Sequence, residues 1–111
     1  MRIGIDLVQI SRFGKKFEEN RKYFEEKVFL VGELSDVGPK HLAGIFAAKE
    51  AVIKALGIGA GNWKEISVSY EETGKPFLSK VPEEFMELKS YLSVSHDGDY
   101  AVAVVVFSTI S

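Results

Sequence analysis

The chain has 111 residues, with 14 lysines and arginines against 16 aspartates and glutamates and a net charge of -2. Its 46% hydrophobic and 27% charged content is that of a globular protein rather than a disordered one, and one domain over residues 1–111 is expected. The sequence has no cysteine, which excludes a disulfide scaffold, a thiolate zinc site, an iron–sulfur cluster and a thiol nucleophile.

The first element predicted is a strand over residues 2–10, with Ile3, Ile5 and Leu7 on one face and Gly4, Asp6 and Val8 on the other. Ser11 is the expected N-cap of a polar helix running to about Lys27 and interrupted near Gly14. A loop through Gly32 and Gly38 leads to Pro39, which suits the first turn of a helix. From there Leu42, Ile45, Phe46, Val52, Ile53 and Leu56 keep helical spacing until Gly57 supplies a stop. Ile66, Val68 and Tyr70 alternate with serines as a half-buried strand, and Thr73-Gly74 turns into a second strand near Pro76. Pro82-Glu83-Glu84 opens a short helix, and strands over 91–96 and 100–107 join at Asp97-Gly98 as a hairpin. The expected class is α+β, a mostly antiparallel sheet packed against one long helix.

The longest apolar run, residues 101–107, falls well short of the ~20 residues that span a bilayer. With no signal-peptide pattern at the N-terminus, a soluble cytoplasmic chain without membrane insertion is expected. Charge is unevenly spread. Residues 9–22 hold Arg12, Lys15, Lys16, Arg21 and Lys22 against two glutamates, whereas residues 64–111 hold four basic and eight acidic side chains. The basic segment reads as a solvated helix face. It is taken to lack the aromatic interleaving that single-stranded nucleic acid binding wants, and no nucleic acid partner is expected.

Few residues invite chemistry. Asp6 interrupts an apolar strand, and an aspartate on an open strand face is the plain expectation for it, with a metal or functional carboxylate second. Glu50 and Lys54 stand four apart, in the order that makes a surface ion pair, yet they border the apolar face of the long helix. Ser95-His96-Asp97 fails as a triad because neighbours in a strand point to opposite faces, and His96 reads as a histidine at the rim of the core. His41 has no metal-ligand spacing with Glu50. Gly57, Gly59 and Gly61 follow a helix and lack both the GxGxxG spacing and a Walker lysine, so neither dinucleotide nor P-loop binding fits; a helix stop and flexible loop does.

Taken in order, IGIDLVQISRF, FAAKEAVIKALGIG, GKPF and SVSHDGDYAVAVV span nearly the whole chain. Together they resemble the holo-acyl-carrier-protein synthases, the small 4'-phosphopantetheinyl transferases. The resemblance implies that family's fold and a magnesium-dependent transfer of phosphopantetheine from coenzyme A to a serine of an acyl carrier protein. It also implies release of adenosine 3',5'-bisphosphate, service to fatty acid biosynthesis, and a homotrimer with active sites between subunits.

By the same resemblance, Asp6 and Glu50 hold the magnesium ion and act in catalysis with Lys54, which lies near the transferred phosphate. Glu50, directly or through a water, is the candidate base. Lys54, Gly57, Gly74, Lys75, Pro76, Ser95 and His96 fall to coenzyme A, and Arg12, Lys16 and Arg21 to the carrier protein. One departure stands out: Ile45 occupies the place of an arginine in the family's AGRFAAKE, leaving Lys40 or Lys49 to replace a phosphate contact. Two other classes compete, a magnesium-dependent diphosphate hydrolase using the same carboxylates and a non-catalytic module that binds acidic partners through the basic helix.

Overall fold

The structure, a computed structural model, describes residues 1–34 and 38–109. In chain order it runs through β1 (Arg2–Gln9), α1 (Ile10–Glu19), α2 (Arg21–Lys27), α3 (Val31–Leu34), α4 (Pro39–Leu56), β2 (Ser67–Tyr70), β3 (Pro76–Lys80), β4 (Lys89–Asp97) and β5 (Tyr100–Ser108). Single 3-10 turns lie at Trp63–Glu65 and Glu83–Phe85. The α+β class holds, with every strand pairing antiparallel, but the strands form two sheets: β1-β5-β4, and the hairpin β2-β3.

The long helix α4 organises the rest. Gly38 precedes it in an extended conformation, Pro39 sits at its start, and Gly57 ends it at φ 66°, where its N–H reaches the Ile53 carbonyl at 3.0 Å. Twelve of its 18 residues are buried, because it lies between the three-stranded sheet and the aromatic wall of the first two helices. In that wall Phe13, Phe17, Phe24 and Phe29 pack ring against ring, and Phe46 of α4 meets Phe13 at 5.4 Å. Phe13 and Phe17 therefore do interleave with the basic cluster, against expectation, but their rings turn inward and leave no stacking platform in solvent.

Three other expectations change. The polar helix of residues 11–27 is two helices. Gly14 lies within α1 and the break comes at Asn20, while Gln9 rather than Ser11 holds the N-cap position. The loop at Gly32 carries the short helix α3; residues 35–37 of that loop lie outside the described residues. Most consequential is β1, whose faces are inverted relative to hydrophobicity. Gly4 and Val8 are buried against α4, while Ile3, Ile5 and Leu7 are 69%, 59% and 63% exposed. The cause is steric. A Cβ on Gly4 would lie 1.9 Å from the Ala51 carbonyl oxygen, so only the glycine face lets strand and helix approach this closely.

Candidate active site

Because β1 turns its Gly4-Asp6-Val8 face to α4, Asp6 is no open-face residue: its side chain is only 16% exposed. Lys54 of α4 donates to its Oδ1 at 2.9 Å and to the Ile5 carbonyl at 3.1 Å. One turn earlier, Glu50 is not left to a surface pair with Lys54. Its Oε2 accepts the indole N–H of Trp63 at 2.9 Å. Asp6 and Glu50 line one cleft of about 400 Å³, together with Arg12 and Lys16 of α1, Tyr23, Phe46 and Trp63.

The donor set suits a hard cation. Two carboxylates from different elements border a solvent-accessible cleft, and magnesium typically takes one or two carboxylates and fills its octahedron with water and substrate phosphates. Among the described residues no group of three or more metal-binding side chains forms a closed cage. Arg12 and Lys16, both exposed and one helical turn apart, line its mouth and give it positive charge. Arg21 is not among the lining residues; it pairs with Glu25 at 3.0 Å and lies over the Phe17 ring.

The remaining site residues lie elsewhere in the chain. β1 and β4 flank β5, so Asp6 and His96 stand on opposite sides of the central strand, about 10 Å apart across the sheet by strand spacing alone. The His96 Nε2 is 3.2 Å from the Lys40 carbonyl and rests above Gly44, where a Cβ would come within 3.1 Å of it. Nearby, the His41 ring lies 4.8 Å from that of Tyr70. Burial, and then the neighbouring His96, hold the His41 pKa below its ordinary value. Gly74, at φ 90°, turns β2 back through Lys75 into β3 at Pro76. Ser95 takes the other face of β4 from His96, in a shallow recess with Leu7, Tyr100 and Val102. Gly57 caps α4 one turn beyond Lys54.

The Ile45 departure also acquires a geometry. Ile45 is buried and walls a second cleft of about 440 Å³ with His41, Ser67 and Tyr70. Of the two lysines proposed to replace the missing arginine, Lys49 is excluded. It is fully buried, with its Nζ 2.6 Å from Glu33 and donating to the carbonyls of Val28 at 2.7 Å and Trp63 at 3.1 Å. Lys40 is exposed at the start of α4 and remains.

Trp63 and the Glu33–Lys49 pair escaped the sequence reading. The glycine-rich stretch before Trp63 suggested a flexible loop, but Asn62 donates to the Gly59 carbonyl at 2.7 Å and Gly61 adopts φ 102°, folding the chain back onto α4. A signal was present in the chain's single tryptophan, placed directly after that stretch.

Comparison with known proteins agrees with this arrangement. A family model described as the 4'-phosphopantetheinyl transferase superfamily matches residues 2–105. The holo-[acyl-carrier-protein] synthase of Trichlorobacter lovleyi is 40% identical, covering 94% of both chains. That of Alkaliphilus metalliredigens is 37% identical, covering 94% of this chain and 95% of the relative. The Helicobacter pylori holo-[acyl-carrier-protein] synthase, solved in complex with coenzyme A, superposes with a TM-score of 0.84 at 33% identity, covering 96% of this chain and 99% of that one. The chain belongs to the holo-[acyl-carrier-protein] synthases of the 4'-phosphopantetheinyl transferase superfamily.

Proposed function

We propose that the chain transfers 4'-phosphopantetheine from coenzyme A to a serine hydroxyl of an apo acyl carrier protein, with magnesium held by Asp6 and Glu50. The observation that carries the proposal is the convergence of those two carboxylates, from β1 and α4, in one cleft whose mouth bears Arg12 and Lys16. When bound, the cation neutralises charge on the diphosphate. In this reading Glu50, directly or through a water, accepts the serine proton as the serine oxygen forms its bond to the β-phosphorus. The bond from that phosphorus to the bridging oxygen breaks, and adenosine 3',5'-bisphosphate leaves. Lys54 spends two of its three N–H donors on Asp6 and Ile5, which leaves the third for a phosphate oxygen on the leaving group. Arg12 and Lys16, with Arg21 further along, offer positive charge to the acidic carrier.

The coenzyme-binding residues on β4 and the β2–β3 turn belong to the same reading, in a homotrimer. Asp6 and His96 flank opposite sides of β5, and Ile3, Ile5 and Leu7 leave an apolar sheet face uncovered. Packing that face against a second copy would bring one protomer's carboxylates toward the other's His96, Gly74, Lys75 and Pro76.

The test is incubation with an apo acyl carrier protein, coenzyme A and magnesium, followed by mass spectrometry of the carrier. A phosphopantetheine mass on the carrier's serine is expected. Failure to produce it, where a known transferase succeeds on the same carrier, would overturn the proposal.

A further inference from the structure

The Trp63 indole donates to Glu50 at 2.9 Å, and the Trp63 carbonyl accepts from Lys49, the residue preceding Glu50, at 3.1 Å. Consecutive residues of α4 thus grip the same tryptophan, one through its backbone from inside the core and the other through its side chain at the cleft. The interior grip is firm. The three acceptors around the Lys49 Nζ account for three N–H donors, as an ammonium group provides, although burial lowers its pKa and Glu33 opposes that. Glu33 in turn accepts the N–H of Leu30 at 2.8 Å and of Val68 at 2.9 Å. On the outer side, Lys64 donates to the Glu25 carbonyl at 3.0 Å, and the Tyr23 ring meets the indole edge-on at 6.5 Å. The turn that carries Trp63 is therefore tied to α2, α3, α4 and β2.

We propose that Trp63 is a positioning residue for Glu50, its indole N–H fixing one carboxylate oxygen so that the other is presented to a divalent cation. An indole nitrogen only donates, so it holds a carboxylate oxygen and cannot compete with it for the cation. Glutamate also has rotatable side-chain bonds that would otherwise be frozen on metal binding, and a preset partner removes part of that cost. The inference rests on Glu50 being a magnesium ligand.

Trp63→Phe keeps an aromatic ring against Tyr23 and deletes only the donor. Isothermal calorimetry with magnesium chloride and coenzyme A, run beside the transferase assay, should show magnesium affinity falling about 10-fold or more. The activity loss should fall on magnesium dependence more than on the rate at saturating metal. Unchanged magnesium affinity in Trp63→Phe would overturn the proposal. Should that variant fail to fold, the native chain decides, because Trp63 is its only tryptophan. Its emission should change on adding magnesium with coenzyme A, and that change should vanish in Glu50→Gln; no change in the native protein overturns the idea. If Asp6→Asn and Glu50→Gln lose magnesium while Trp63→Phe keeps it, the positioning role fails and the metal reading stands. If all three keep it, both fall.

Discussion

Lys49 and Glu50 are adjacent and chemically complementary, yet a rotation of about 100° along α4 sends one into the core and the other into the cleft. The sequence reading allowed Lys49 a phosphate, as a lysine inside a functional motif invites. What it could not see was Glu33, which sits on a four-residue helix with no pattern of its own and folds under α4 to meet it. A buried pair of this kind is costly to break from one side, because the remaining charge has no water to return to. Lys49→Met, similar in length, is expected to destabilise the fold by about 3–5 kcal/mol, read from urea unfolding. A loss below about 1 kcal/mol would mean that Glu33 finds another partner. By contrast, Asp6→Ala removes a carboxylate from a cleft open to solvent. It should abolish magnesium-dependent transfer while the unfolding midpoint stays near that of the parent, and undiminished turnover would argue against the metal assignment.

Among the elements, α4 was legible almost to the residue because Pro39 and Gly57 act locally, through a missing N–H and a left-handed φ. The orientation of β1 was not. Alternation divides a strand into two faces without saying which is covered, and here the glycine face wins over the isoleucine face because α4 needs the space. Gly4→Ala tests this directly. The nearest obstacle is the backbone of Ala51 rather than a side chain that can swing away, so the variant should lose about 3 kcal/mol or more, at or beyond the upper end of ordinary overpacking. Because the same contact sets β1, bearing Asp6, against the helix bearing Glu50 and Lys54, activity should fall with it. A second junction is sensitive to acid. In the β4–β5 turn Asp99 accepts from the Ser11 hydroxyl at 2.5 Å and the Ser11 N–H at 3.0 Å, which together hold its carboxyl below the usual aspartate range. The folded chain therefore takes up this proton less readily than the unfolded chain. The contribution is complete above the ordinary aspartate pKa and drains away as pH falls through the depressed value. Melting temperature followed from pH 7 to pH 3 should show a shallower acid decline in Asp99→Asn than in the parent; parallel curves would remove Asp99 from the acid response.

At the scale of the whole molecule, assembly turns on a sheet face. The apolar run of residues 101–107 is not itself the open surface, because β5 is the central strand of its sheet and buries Ala101, Ala103, Val105 and Phe107 beneath it. What lies open is the opposite surface. Ile3, Ile5 and Leu7 pair in register with the half-buried Val106, Val104 and Val102, and Tyr91 and Tyr100 extend the patch. Contiguous apolar surface of this kind marks an interaction site. If a trimer covers it, Ile5→Glu places a charge at its centre, on a side chain that points away from α4 and is 59% exposed in the protomer. The protomer's own core should be untouched, with circular dichroism preserved. Sedimentation should show trimer giving way to monomer at micromolar concentration. Activity should fall more than about 10-fold, since Asp6 and His96 lie on opposite edge strands of one sheet and, in the proposed trimer, a neighbour brings the two halves together. A parent chain that sediments as a fully active monomer would overturn the trimer, and an Ile5→Glu monomer with parental turnover would overturn the shared site.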